Sequence, residues 1–387
     1  MTRFAEMTEL KPLIEANTAF ALHLYGKLRA ADGNLFFSPY SISSALAMAY
    51  AGAGGETARQ MEQVLHFTKC KTNLHEQFAR LAAVWKAAQA EQDIELHIAN
   101  SLWPQEKHPF LDTFLDLLKQ HYGAVVTALD YARDREGARA AINGWVNENT
   151  KQKITEIIGP GMIDCLTRMA LVNAIYFKGA WTTPFPASST QPQRFYLRPD
   201  RTVVVPFMNE QDEFSYAENN QLQLLVLPYA NNQLHMVLLL PRAKDDLARL
   251  EDSLNPTNLA GWITQARQME VKVALPKFKM SSTTTLSETL QSLGMKDAFD
   301  RMLADFSGMD GKVHWLYLSA VLHRAFIEVN EEGTEAAAVA ALFGRWLGRL
   351  SVEPPEFRAD HPFLFLIRDS TTGSILFMGR VSEPENG

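Results

Sequence analysis

Between Val321 and Phe363 the chain passes from what must be buried to what cannot stay buried by itself. Val321 to Val329 is apolar and β-branched enough to form a buried strand. Glu331, Glu332 and Gly333 follow, and Gly333 supplies a joint because a residue without Cβ reaches backbone angles closed to others. From Thr334 to Leu342 nearly every side chain is small. Such a tract offers too little apolar area to offset the entropy of ordering it, so as a loop it is exposed. Yet Thr334, Ala336, Ala338, Ala340 and Leu342 share one face of an extended strand, with no charge among them. Glu335 falls on the other face, where it can stay in water. The segment can live as a loop or enter a sheet. A Pro354-Pro355 break and Asp360-His361-Pro362-Phe363 close it.

Around this tract the chain has two halves of different pattern. Apolar residues recur at helical spacing over Leu13 to Arg29, Ile42 to Ala51, Thr57 to Phe67, Leu74 to Ala90, Phe110 to His121 and Arg135 to Thr150. Strands at Ile94 to Trp103 and Ala124 to Leu129 interrupt them. After residue 165 strands dominate: Met169 to Phe177, Thr202 to Met208, Leu222 to Leu227, Leu234 to Leu240, Val271 to Met280, and the closing run from Phe363 to Val381. Asn231-Asn232 reads as a hairpin turn, since Asn tolerates positive φ, and Leu286 to Leu293 as one more helix. A helical half followed by a strand half predicts an α+β fold. No linker or shift in composition marks a boundary, so one domain over residues 1–387 is expected.

The chemistry of an enzyme is missing. Gly52-x-Gly54 lacks the last glycine of a dinucleotide fingerprint and reads as a turn, with Thr57 placed to cap the next helix. His75-Glu76 has Ala79 where a zinc-binding helix needs a second histidine, and no Gly-x-Ser-x-Gly elbow occurs. Cys70 and Cys165 fit no metal or redox spacing and read as free thiols. No catalytic residue, metal or cofactor is expected. A net charge of −7 and pI near 5.8 argue against nucleic acid or an anionic membrane as partner, and Lys69 with Lys71 is no basic stripe. No stretch of eighteen apolar residues and no signal-peptide run appear, so a cytoplasmic protein is expected, or a secreted one if a leader has been removed.

The hinge glycine, the alanine-rich tract and the Asp-His-Pro-Phe exit together resemble the reactive loop of the serpins. Further blocks carry the resemblance along the chain. They are Asn34 to Ser41, Gly52 to Thr57, Val172 to Trp181, Phe357 to Ile367 and Phe377 to Val381. The resemblance implies three β-sheets, eight or nine helices and an exposed reactive-centre loop at about 333–356. It also implies a function: inhibition of a serine protease that cleaves the loop, is held as the acyl-enzyme, and is trapped when the loop inserts into the main sheet.

The inserting face must be small and uncharged, because a buried unpaired charge costs several kcal/mol, and the tract satisfies this. By the same resemblance the hinge is Glu331, Gly333, Thr334, Glu335, Ala336, Ala337 and Ala338. The reactive bond, usually fourteen residues beyond the hinge glycine, falls at Leu347-Gly348. A leucine there suits a chymotrypsin-, elastase- or subtilisin-like pocket, while Arg345 and Arg349 are alternatives that suit a trypsin-like one. Ser38, Ser41, Asn173 and His323 match the polar cluster under the main sheet, and Trp181 the top of that sheet. The alternatives are a non-inhibitory serpin serving as chaperone or carrier, and a cross-class inhibitor of papain-like cysteine proteases. A monomer is expected, with a tendency to link loop to sheet in polymers.

Overall fold

The structure, a computed structural model, describes residues 3–89, 94–230, 232–334 and 353–384. Its helices are α1 (Arg3–Leu28), α2 (Pro39–Tyr50), α3 (Gly55–Val64), α4 (Leu74–Gln89), α5 (Asp112–Tyr122), α6 (Arg135–Asn149), α7 (Leu247–Ser253), α8 (Pro256–Gln265), α9 (Ser287–Ser292) and α10 (Ser307–Asp310). The ten exceed the expected eight or nine because single-turn α10 is counted. The strands are β1 (Leu35–Phe37), β2 (Ile94–Pro104), β3 (Val125–Val126), β4 (Met169–Ala180), β5 (Gln191–Arg198), β6 (Arg201–Glu218), β7 (Leu222–Pro228) and β8 (Leu234–Pro241). Then come β9 (Arg267–Pro276), β10 (Phe278–Thr285), β11 (Ala320–Asn330), β12 (Gly333–Thr334), β13 (Glu356–Arg358), β14 (Phe363–Asp369) and β15 (Ile375–Val381).

The α+β architecture expected from the two halves is present. One sheet runs β10-β11-β12-β4-β2-β3; the other runs β1-β15-β14-β8-β7-β6-β9-β13, with β5 on β6. Two of the three expected sheets are thus continuous through β6, which at 18 residues is long enough to pair β5, β9 and β7 in turn. β14 and β15 lie inside this larger sheet and are almost wholly buried, which is why their sequence is apolar throughout instead of alternating.

β4 is covered on both faces. Leu171, Ile175 and Phe177 point into the main core, while Ala170, Val172, Ala174 and Tyr176 join a second cluster with Ala138, Ile142 and Val146 of α6. α2 lies against the inner face of this sheet and is buried from Pro39 to Ala49. Ser38 caps it, its Oγ accepting the Ser41 amide at 3.2 Å, and Pro39 occupies the first turn where a missing N–H costs nothing.

Three sequence-based expectations need correction. The run Val271 to Met280 is two strands in different sheets: Pro276 pairs with Phe207, whereas Phe278 pairs with Val329. Thr57 does not cap α3; Gly54 stands at that position, and the Thr57 hydroxyl accepts the Asp305 amide at 3.0 Å. β5, α7 and α8 were not anticipated from periodicity, and β6 runs ten residues past Met208. Asn232 has the positive φ, 52°, that the hairpin reading requires. Cys70 and Cys165 are free, the first buried and the second exposed.

Candidate functional site: the seam of the six-stranded sheet

The site grows from one irregularity of strand direction. β4 and β11 pair directly and in parallel from Ala170/Ala320 to Tyr176/Phe326. Above Phe326 they separate, and β12 enters between them, antiparallel to both: Thr334 faces Val329 and Gly179, and Gly333 faces Asn330 and Ala180. The seam is therefore closed along most of its length and open only at one end. Gly333 and Thr334 already occupy that end.

Only glycine fits where the hinge turns in. Gly333 has φ +150°, and a Cβ there would lie 2.1 Å from the Gly179 carbonyl oxygen and 2.6 Å from Ala180 Cα. Thr334 is fully buried, its hydroxyl 2.9 Å from that of Tyr229. Tyr229 stacks on Trp181 with ring centres 4.6 Å apart and meets Phe177 edge-on at 5.0 Å. Trp181 donates its indole N–H to the Asn330 carbonyl at 3.1 Å and its amide to that of Glu332 at 2.9 Å. The turn before β12 is held from outside by Glu331, whose carboxylate takes Lys277 Nζ and the Thr190 hydroxyl at 2.8 Å each. Burial alone would raise the Glu331 carboxyl, but these partners outweigh it and hold it below the usual range.

Midway down the seam a polar cluster spans it. His323 and Asn173 are direct cross-strand neighbours, with His323 Nδ1 2.5 Å from Asn173 Oδ1. The other ring nitrogen, Nε2, accepts the Ser38 amide at 3.0 Å. Asn173 Nδ2 donates to Ser41 Oγ and, at 2.5 Å, to Asn100 Oδ1. Asn100 in turn donates to Ser44 Oγ at 3.2 Å, and Ser38 Oγ donates to the Leu376 carbonyl at 2.5 Å. This set of bonds is satisfied by a neutral imidazole with its proton on Nδ1. Burial agrees, pushing His323 down to about 3. Each bond leans on the next, so separating β4 from β11 here costs several at once.

A family model described as Serpin (serine protease inhibitor) matches residues 15–384. The chain belongs to the serpin family. Among relatives of this serpin, a leukocyte elastase inhibitor of Xenopus tropicalis is 40% identical, covering 97% of this chain and 100% of that protein. A serpin B6 of Macaca fascicularis is 41% identical over 96% of this chain and 99% of its own. The solved structure of uncleaved ovalbumin superposes with a TM-score of 0.87 at 30% identity, covering 96% of this chain and all of that one.

Within the serpin fold, the residues singled out by resemblance fall into two groups. Ser38, Ser41, Asn173 and His323 are brought into one bonded cluster, and Trp181, Glu331, Gly333 and Thr334 into another. Glu335, Ala336, Ala337, Ala338, Arg345, Leu347, Gly348 and Arg349 lie outside the described residues. Sequence reasoning missed Tyr229, Lys277 and Asn100. Asn100 alone left a trace, a polar residue in the middle of a strand read as partly buried. On the far side of the loop, Lys272 Nζ holds Glu353 at 2.8 Å, and the Lys272 amide donates to the Pro355 carbonyl at 2.9 Å. There the chain rejoins the larger sheet as β13.

Proposed function

We propose that this serpin inhibits serine proteases as a suicide substrate. The protease serine attacks the carbonyl of Leu347, the peptide bond to Gly348 breaks, and the amine of Gly348 leaves as a new N-terminus. The ester so formed ties the protease to the freed end of the loop. β12 then lengthens down the seam, β4 and β11 part, and the loop becomes a full strand between them.

The observation that carries this reading is β12 itself. The first rung of the added strand is already in place, in the antiparallel sense, at the open end of a seam that is otherwise closed. The loop is tethered beyond its far end at β13, and cutting it releases the end that must travel. Leu347 favours proteases with apolar pockets, and the relatives named leukocyte elastase inhibitor support an elastase-like target. Arg345 and Arg349 mark the trypsin-like alternative.

The test is a gel. The protein is incubated with elastase, chymotrypsin, subtilisin and trypsin, then boiled in SDS. A band at the summed mass of protein and protease, less the fragment beyond Leu347 that boiling releases, is expected with at least one of the first three. Clipped protein alone in every lane would overturn inhibition by this route and favour a chaperone or carrier.

A further inference from the structure

Two imidazoles outside the seam face each other and have no part in the mechanism above. His23 lies on α1 and His66 on the turn that follows α3, with His66 Nε2 2.9 Å from His23 Nδ1. Their ring centres are 4.8 Å apart and their planes are tilted by 51°. His66 sits at φ 59° and ψ 27°, left-handed backbone that a residue with a Cβ keeps only when its surroundings fix it. The fixing residues are its neighbours. Leu65 and Phe67 flank His66 and are fully buried, while Leu22 and Leu24 flank His23 and belong to the core. Both backbones are thus anchored, and both rings stand at the surface, His23 exposed and His66 half-buried.

A hydrogen bond between two neutral imidazoles uses one facing nitrogen as donor and the other as acceptor. Either nitrogen becomes a metal ligand once its proton sits on the far side of its ring, a tautomer change that leaves both rings neutral. Burial, and then the charge of a protonated His23, hold His66 below the ordinary histidine range, so protons compete weakly for it near neutral pH. Bonds from imidazole nitrogen to a divalent metal run about 2.0–2.1 Å, so two at a right angle set their nitrogens about 2.9 Å apart, and two at the tetrahedral angle about 3.4 Å. The separation present here matches the right-angle pair, the arrangement of tetragonal Ni²⁺ and Cu²⁺ centres. Rotation of the rings is all that is needed to aim both lone pairs at one point.

We infer that His23 and His66 form a surface chelate for a nitrogen-seeking divalent transition cation, Ni²⁺ or Cu²⁺ ahead of Zn²⁺, with water completing the coordination. Among the described residues no third histidine, cysteine or carboxylate joins the pair, so the ion is exchangeable and not a condition of folding. Bound there, it ties α1 to the turn after α3, a juxtaposition that the unfolded chain lacks, and so favours the folded form. Mg²⁺ and Ca²⁺ prefer oxygen ligands, and the donor set excludes them. The chelate stands independently of the loop-insertion reading.

Ni²⁺ is the probe, because copper is drawn also to thiols such as the exposed Cys165. Binding to the whole chain is measured by calorimetry, and melting is recorded in excess Ni²⁺ or Mg²⁺, for wild type, His23→Gln and His66→Asn. Asparagine is chosen at position 66 because it tolerates left-handed backbone. His97→Gln, at a histidine beside Glu95, is the control. Wild type and the control should bind Ni²⁺ at least tenfold more tightly than either variant of the pair. They should also melt about 2–4 °C higher in Ni²⁺ than in Mg²⁺, and both effects should fade by about pH 5, where imidazoles are protonated. Unchanged affinity in His23→Gln or His66→Asn, loss of binding in His97→Gln alone, or no Ni²⁺-dependent shift in wild type would reduce the pair to a hydrogen bond and end the proposal.

Discussion

Thr334→Arg probes the hinge at the one place where its geometry is already set. Thr334 is enclosed, paired with Gly179 and Val329, and its hydroxyl meets that of Tyr229. A guanidinium brought there would offer five donors to a tyrosine held between Trp181 and Phe177. Leaving a charge buried and uncompensated costs about 3–5 kcal/mol. The escape is for β12 to leave the seam, which forfeits its ladder bonds and the bond to Tyr229. At about 1 kcal/mol net for each, the escape costs about 3 kcal/mol. During insertion the arginine must enter regardless, but the resting variant has already lost about 3 kcal/mol, so the barrier rises by the difference, up to about 2 kcal/mol. At 1.36 kcal/mol per decade, insertion slows by up to about 30-fold.

Hydrolysis of the acyl-enzyme is the protease's own reaction and keeps its rate. Slower insertion therefore diverts molecules from the trapped complex to the clipped product. The assay is the stoichiometry of inhibition against an elastase-like or chymotrypsin-like protease. The moles of inhibitor consumed per mole of protease should rise several-fold, with the cleavage rate of the loop unchanged. An unchanged stoichiometry in a folded variant would remove Thr334 from the mechanism and with it the claim that β12 is the first rung.

Two further outcomes follow from the same seam. His323 is held near 3 by burial, against about 6.5 in an unfolded chain, so the unfolded chain binds the extra proton first as pH falls. Its contribution is whole above about pH 6.5 and shrinks by up to about 1.4 kcal/mol per pH unit below it, down to about pH 3. Urea midpoints should fall and loop-to-sheet polymerisation should quicken over that range, and His323→Gln should flatten both profiles; parallel profiles would exclude His323 as the source. Gly333→Ala places a Cβ against the Gly179 carbonyl at a φ that side chains rarely adopt, so β12 should be expelled. Amide exchange at residues 333 and 334 should then approach that of an open loop, and protection equal to wild type would contradict the steric argument.

What the sequence discloses here depends on how local the determinant is. The hinge is legible because glycine, threonine and small side chains sit together in one tract. The run from Val271 to Met280 is misleading for the opposite reason: Pro276, Lys277 and Phe278 are consecutive, yet the sheet changes between the first and the last, and only distant partners show it. Asn255-Pro256 carries a readable helix start, a cap followed by proline at the first turn, and α8 begins there. It is easily passed over as a broken glycosylation sequon. The polar alternation after Met208 likewise hides the rest of β6, where Phe214 and Tyr216 are the inward residues. Tyr229 and Lys277 have no local signature, since their roles exist only where other strands end. Asn100 becomes meaningful only in register with Asn173.

The direction of the seam has one more consequence. Its two flanking strands point the same way, and whatever joins them from the end of β11 must turn back and run against both. A guest is thus sorted by the polarity of its backbone before any side chain is weighed. A peptide with the loop's residues in reversed order would still have to enter antiparallel to both walls, and would then present its side chains to the seam in the opposite order. Selection of this kind needs no pocket and no specific side chain; it is written into which way the chain happens to be travelling.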